Sequence, residues 1–347
     1  MLESSPTAGK DVAVPLDRSS RPVRITDVAA LAGVSIGTAS KALNDTGQLR
    51  DETRLRVKAA AEQLGFVGDA RARALSSGRT WTVGMITTDS FGRFTMPVLL
   101  GAEDALSAGE MMVLVCDTRD DHVREAHYLR SLVARGVDGI VVTGRSADAR
   151  PPIDVPVPVP VVYALTPSTD PSDVSITLDD PAGAAAAASH LLGLGRRRVA
   201  VVTGPADARS AVDRARGAAA VLGDRMVCGP VHGEWSERWG RQAVDLLDRG
   251  AVAVDAVLCG NDQIARGVCD RLRESGRSVP DEVAVTGYDD WDVLALASRP
   301  PLTTVDMRLD ELGRIAGRAL LELVAGNRPA STAVTPSLVV RESTLGA

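Results

Sequence analysis

The chain has 347 residues, 45% of them hydrophobic, with 39 Lys and Arg against 45 Asp and Glu and a formal net charge of −6. That length exceeds one ordinary domain and the apolar content can fill large cores, which excludes a disordered or fibrous chain. The four cysteines (Cys116, Cys228, Cys259, Cys269) form no CxxC pair and are too sparse for a disulfide framework, so a reducing cytoplasm is the expected setting.

Residues 1–20 mix Ser, Pro, Gly and charge without periodicity and read as a disordered tail. The tail has no apolar h-region, and no apolar run reaches roughly 18 residues, so neither export nor a membrane span is expected. The first ordered signal is the run from Ile25 to Asn44, whose periodicity describes two short helices joined by a glycine turn. Thr26 stands as the N-cap of the first, Asp27 sits at its positive end, and Val28, Ala29 and Leu31 supply its apolar face before Gly33 ends it. Ser35 caps the second, turning Ala39, Ala42 and Leu43 inward and Ile36, Gly37, Ser40 and Lys41 outward. A helix-turn-helix of this kind makes double-stranded DNA the expected partner. Charge segregation agrees: residues 18–80 hold 11 basic and six acidic side chains, a local net of +5, which leaves −11 for the rest.

From Trp81 onward, apolar runs alternate with helical stretches. The runs are Val83–Thr87, Met111–Cys116, Gly139–Thr143, Val159–Ala164, Val199–Thr203, Ala256–Cys259 and Val283–Thr286. That alternation predicts parallel sheets covered by helices on both faces, with Ala182–Ala188 a closely packed helix. The Pro-rich stretch 151–160 reads as a stiff surface loop. Two such sheets imply a cleft at the carboxyl ends of the strands, where doubly wound folds hold ligands.

The run Ile25–Asn44, then Asp51-Glu-Thr-Arg54, Ala59-Ala-Ala-Glu-Gln-Leu-Gly65 and Ala70–Leu75, resembles the head of the LacI/GalR family of bacterial transcription regulators. The body carries matching stretches at Leu191–Gly195, Asn261–Gln263, Gly287–Asp290, Pro301–Thr304 and Leu338–Ser343. The resemblance implies an all-α helix-turn-helix head and an α/β body of two Rossmann-like lobes, like periplasmic sugar-binding proteins, crossed three times by the chain. The expected divisions are a tail (1–20), the DNA-binding head (21–66), a hinge and linker (67–80), and the body (81–347). Within the body the N-lobe takes 81–178 and 306–335, and the C-lobe 179–305 and 336–347.

By the same resemblance the DNA-facing set is Thr26, Ser35, Ile36, Gly37, Thr38, Ser40, Lys41 and Asn44, with Arg71, Arg73 and Leu75 in the hinge. Gly37 has no side chain and Ile36 offers only apolar contact, so Lys41 carries the hydrogen-bonded base readout while Thr38 and Ser40 touch phosphate. Leu75 stands where the family pushes a leucine into the minor groove, flanked by Arg71 and Arg73 for phosphates. Gly68-Asp69 departs from the family's Pro-Asn and should loosen that hinge. A homodimer is expected, one helix-turn-helix per half-site, and the chain stops four residues past Ser343, which leaves no room for a tetramerisation helix.

For the ligand the resemblance points to Arg214, whose planar fork grips hydroxyls or a carboxylate, and to Asp289, which accepts from neighbouring sugar hydroxyls. Asn261 and Asp262 orient hydroxyls or cap the following helix, and Trp235 stacks on a sugar ring. Asp89, Phe91 and Phe94 complete the pocket from the other lobe, although Ser90-Phe-Gly-Arg93 departs from the family pattern. The expected effector is a small polar molecule, a saccharide first. Two rivals stand beside this reading. Gly33-Val-Ser-Ile-Gly37 formally matches the nucleophile elbow of serine hydrolases, which would need one of His122, His127, His190 or His232 as base and a strand before Ser35. The body alone would suit a sugar-binding protein, against which stand the basic head and the missing signal peptide. With no His/Cys metal spacing, Walker loop or GxGxxG, no metal and no cofactor is expected.

Overall fold

The computed structural model describes residues 23–66, 79–107, 111–250 and 252–345, and the chain divides after Gly78 into two compact units. The hinge residues singled out above, Gly68, Asp69, Arg71, Arg73 and Leu75, lie outside the described residues.

The first unit holds α1 (Ile25–Ala32), α2 (Ile36–Leu43) and α3 (Asp51–Leu64). Its core is Val28, Ala29, Ala32, Ala39, Ala42, Val57, Ala60 and Ala61, small side chains that let three short helices approach closely. α1 starts earlier than expected. Arg24 is its N-cap, and Asp27 Oδ2 accepts the Arg24 backbone N–H at 2.8 Å, so Thr26 is an exposed first-turn residue and not the cap. A carboxylate reaching back across the first turn fixes the helix start better than a hydroxyl two residues too late. Leu31 is also off the expected face: it is 48% exposed while Ala32 is buried. At about 100° per residue, Val28, Ala29 and Ala32 form one stripe and Leu31 falls beside it. Gly33 ends α1 at φ 63°, a left-handed turn that costs glycine nothing.

The second unit opens with β1 (Thr82–Thr87), α4 (Thr95–Ser107), β2 (Met112–Asp117), α5 (His122–Ala134), β3 (Gly139–Thr143), β4 (Val161–Ala164) and β5 (Val174–Leu178). It continues with α6 (Asp180–Gly193), β6 (Val199–Thr203), α7 (Arg209–Leu222), β7 (Val231–His232), α8 (Glu237–Leu247), β8 (Ala256–Cys259), α9 (Asp262–Glu274), β9 (Ala284–Thr286) and α10 (Asp292–Ala295). β10 (Thr304–Asp306), α11 (Leu309–Val324), β11 (Thr332–Val334), β12 (Ser337–Val339) and α12 (Glu342–Leu345) follow.

Two parallel sheets result, ordered β11-β5-β4-β3-β1-β2 in the N-lobe and β7-β6-β8-β9 in the C-lobe, with β10 and β12 pairing antiparallel apart from both. The chain leaves the first sheet after Leu178, returns after Asp306 to place α11 and β11, and leaves again after Val334 to pair β12 with β10. The seven expected strands are present, with ends shifted by at most two residues. β5, β7, β10, β11 and β12 were not anticipated: they are two to five residues long and carry Ser, Thr or His among their apolar positions, too little signal for a local pattern. Expected helix Ala182–Ala188 lies inside α6, where Gly183 meets Tyr288 and Pro336 too closely for a Cβ. α4 and α11 cross on two glycines: a Cβ at Gly101 would stand 1.8 Å from Asp310 O, and one at Gly313 would stand 2.1 Å from Val98 O. Among the described residues no helix is long and apolar enough to cross a membrane.

Candidate functional site

The carboxyl ends of the C-lobe strands collect the polar residues. Asn261 follows β8 and caps α9, its Oδ1 accepting the Ile264 N–H at 2.8 Å. Asp289 follows β9 at φ 107°, a conformation that few side chains adopt, held by its N–H donating to Val305 O at 2.8 Å.

Arg214, on α7, is buried against three acceptors. Nε donates to Asp180 Oδ1 at 2.9 Å, and Nη1 donates to Gly260 O at 2.7 Å and to Asp289 Oδ1 at 3.3 Å. Its guanidinium carbon lies 3.7 Å from the centre of the Tyr288 ring and 5.9 Å from that of Trp235. Burial works against the charge, but Asp180, Tyr288 and Asp289 outweigh it and hold the guanidinium above its ordinary pKa. Burial pushes the Asp289 carboxyl up, and the guanidiniums of Arg93 and Arg214 pull against that shift. No protein acceptor among the described residues takes Nη2 of Arg214, which leaves it available to a ligand.

Between the lobes lies a cavity of about 150 Å³ lined by Asp180, Arg214, Trp235, Asn261, Gln263 and Asp289 from one side and by Arg93, Phe94, Arg145, Ser146 and Asp148 from the other. Arg93 reaches across it. Its Nη2 pairs with Asp289 Oδ2, its Nη1 lies 3.5 Å from Gln263 Oε1, and its guanidinium carbon sits 4.9 Å from the Phe94 ring centre and 4.5 Å from that of Trp291.

Five of the eight ligand residues expected from sequence therefore line this cavity: Phe94, Arg214, Trp235, Asn261 and Asp289. Three do not. Asp89 is committed to the start of α4, its Oδ2 accepting the Phe94 and Thr95 N–H groups at 2.8 and 3.0 Å. Unpaired amides at a helix start are strong local donors, and a carboxylate this close in sequence serves them first. Phe91 is 99% exposed. Asp262 lies fully buried behind the wall, with Oδ1 accepting the Thr304 hydroxyl at 2.6 Å and Oδ2 the Trp291 N–H at 2.8 Å. Burial first, and the charge of Asp289 second, push its carboxyl up to about 7.

Sequence reasoning missed Arg93, Asp180 and Gln263. The departure of Ser90-Phe-Gly-Arg93 from the family pattern was the available signal for the first. Asp180 had only a helix-start signature, Asp-Asp-Pro before an alanine run, which does not reveal that it faces Arg214.

In the head, Ser35 caps α2, its Oγ accepting the Thr38 N–H at 3.1 Å and lying 2.9 Å from Thr38 Oγ1. A helix, α1, precedes it, so the GxSxG match lacks the strand that a nucleophile elbow requires. Ile36 is 53% exposed, Gly37 and Lys41 are exposed, and Thr38 and Ser40 are half-buried. Asn44 ends α2, its Nδ2 3.4 Å from Ser40 Oγ. Lys41 has no acidic partner among the described residues, and its stem lies against Gly47.

Comparison with known proteins matches both units. Residues 24–69 match the profile "Bacterial regulatory proteins, lacI family", and residues 188–344 match "Periplasmic binding protein-like domain". The chain is 33% identical to the HTH-type transcriptional regulator CelR of Thermobifida fusca, over 94% of this chain and 100% of that protein. It is 30% identical to the ribose operon repressor of Escherichia coli strain K12, over 86% of this chain and 92% of the relative. Among solved structures, the CelR–cellobiose complex superposes with a TM-score of 0.63 at 30% identity, covering 93% of this chain and 100% of that one. The Lac repressor dimer bound to operator and the anti-inducer ONPF does so with a TM-score of 0.72 at 26% identity, covering 94% and 100%. A helix-turn-helix head joined to a two-lobed body with a polar cleft, matched along nearly its whole length, places this chain in the LacI family of bacterial regulatory proteins as a DNA-binding transcriptional regulator.

Proposed function

We propose that the protein is a cytoplasmic, dimeric repressor without catalytic activity, which binds a palindromic operator through residues 21–80 and releases or holds it according to a sugar bound between the lobes. The observation that carries the effector reading is Arg214 with Asp289. A buried guanidinium and a carboxylate stand side by side on one wall of an inter-lobe cavity, with the indole of Trp235 beside them: donor, acceptor and apolar face for a sugar ring. The relatives support this class, since CelR is seen with cellobiose and Lac repressor with operator. In the head, Ile36, Gly37 and Lys41 are the base-reading set, with Thr38 and Ser40 on phosphate. A ligand changes operator affinity only by preferring one lobe arrangement over the other, and contacts to both Asp289 and the facing wall of Arg145, Ser146 and Asp148 would provide that preference.

The test is a thermal-shift panel of mono- and disaccharides on the full chain and on Asp289→Asn, followed by operator titration with and without each hit. A ligand that binds only the folded state raises the melting temperature. The expected result is a sugar that stabilises the native chain, fails to stabilise Asp289→Asn, and alters operator affinity. Undiminished stabilisation of Asp289→Asn would remove the cavity from the reading, and an operator affinity indifferent to every hit would remove the coupling.

A further inference from the structure

An arginine has a long, flexible side chain, and beside a carboxylate it favours a pair of parallel bonds that uses up the donors and acceptors of both. Arg214 makes no such pair with Asp289. Its contact there, from Nη1 to Oδ1, is 3.3 Å long, and the same nitrogen donates to Gly260 O at 2.7 Å. The orientation of the guanidinium is set elsewhere: Nε donates to Asp180 Oδ1 at 2.9 Å, and the guanidinium carbon lies 3.7 Å from the centre of the Tyr288 ring.

Asp180 owes its place to the backbone around it. It stands two residues after β5, where the chain first passes between the lobes, and it opens α6, which Asp179 caps by accepting the Ala182 N–H at 3.1 Å. The Asp179 N–H in turn donates to Val334 O at 2.9 Å, where the chain passes between the lobes again. Against this helix start α7 packs on Gly217, three residues after Arg214: a Cβ there would stand 2.1 Å from Pro181 O. That close approach, one helical turn from Arg214, brings the Asp180 carboxylate to the guanidinium. Asp180 is 2% exposed, so it acts on a bound molecule through Arg214 and not by touching it. A guanidinium held in one orientation beforehand spares a ligand the cost of ordering it.

We propose that Asp180 is a positioning residue for effector binding: it anchors Arg214 through Nε, keeps the guanidinium from closing on Asp289, and so holds Nη2 ready for a sugar hydroxyl. This rests on the sugar reading of the inter-lobe cavity and adds the residue that sets the geometry of its principal donor.

The test is calorimetric titration of the full chain with glucose, galactose, ribose, cellobiose and lactose, repeated on Asp180→Ala, Asp180→Asn, Arg214→Ala and the double variant Asp180→Ala/Arg214→Ala. Asparagine keeps the shape and the acceptor for Nε, so it is the conservative rescue. Asp180→Ser is a second truncation, with a side chain that suits a helix start, should alanine fail to fold. The expected result is that a sugar bound by the native chain loses about tenfold or more in affinity in Asp180→Ala or Asp180→Ser and regains most of it in Asp180→Asn. In the Arg214→Ala background, removing Asp180 should cost less than about twofold more, because a residue acting through another has nothing left to position. Undiminished affinity in both truncations, or a full tenfold loss repeated without Arg214, overturns the positioning role and leaves the sugar reading standing. Absence of any response of the native chain to all five sugars defeats that reading and this inference with it.

Discussion

Arg93, on the segment between β1 and α4, forms an ion pair with Asp289 at the end of β9 and so joins the two lobes across the cavity. Asp289 therefore meets one guanidinium from each lobe, because Arg214 approaches its other oxygen. If Asp289 accepts sugar hydroxyls as proposed, an effector has to compete with Arg93 for its Oδ2. Arg93→Gln should raise effector affinity several-fold in calorimetric titration, since an amide is a weaker rival for a carboxylate. A loss of affinity would make Arg93 a ligand contact instead.

The second expectation concerns pH. The Asp262 carboxyl is pushed from 3.8 up to about 7 by burial and by Asp289, so between those two values the folded chain binds its proton more tightly than the unfolded chain. Stability contributed by this group is present at the acid end, falls as pH rises through about 4 to about 7, and does not return above it. Asp262→Asn keeps an acceptor for the Trp291 N–H and cannot ionise. Melting temperatures measured from pH 4.5 to 8 should decline less steeply in the variant, and identical slopes would mean that Asp262 stays ionised throughout.

On the DNA side, Lys41→Ala should weaken operator binding by about 1–3 kcal/mol and weaken binding to a scrambled duplex by less, as read by fluorescence anisotropy. Equal losses on both duplexes would make Lys41 a phosphate contact without base readout.

A packing prediction tests the N-lobe independently of any ligand. Gly101→Ala on α4 forces its new methyl into the backbone oxygen of Asp310 on α11, and neither helix has a flexible side chain there to yield. The variant should lose about 1–3 kcal/mol in chemical denaturation. An unchanged midpoint would show that the two helices can separate at little cost.

What the sequence determined alone is the local order. Gly33 and Ser35 mark the turn and cap of the helix-turn-helix because a left-handed residue and a hydroxyl acceptor are needed within a few positions of each other. Nearly continuous apolar runs such as Gly139–Thr143 and Val199–Thr203 announce parallel strands because both of their faces are covered. The motifs around Arg214 and Asp289 pointed to two residues that line the inter-lobe cavity. Thr26, Leu31, Asp89 and Asp262 went astray where a neighbouring donor or a few tens of degrees around a helix decided the outcome. Tertiary structure alone decided that Arg93 pairs with a residue 196 positions away, that Asp180 faces Arg214, and that the Thr143 hydroxyl is enclosed without a partner among the described residues. Periodicity records which side of an element is buried, but contacts between distant segments depend on how two separately wound lobes are set against each other, and no local pattern of residues carries that geometry.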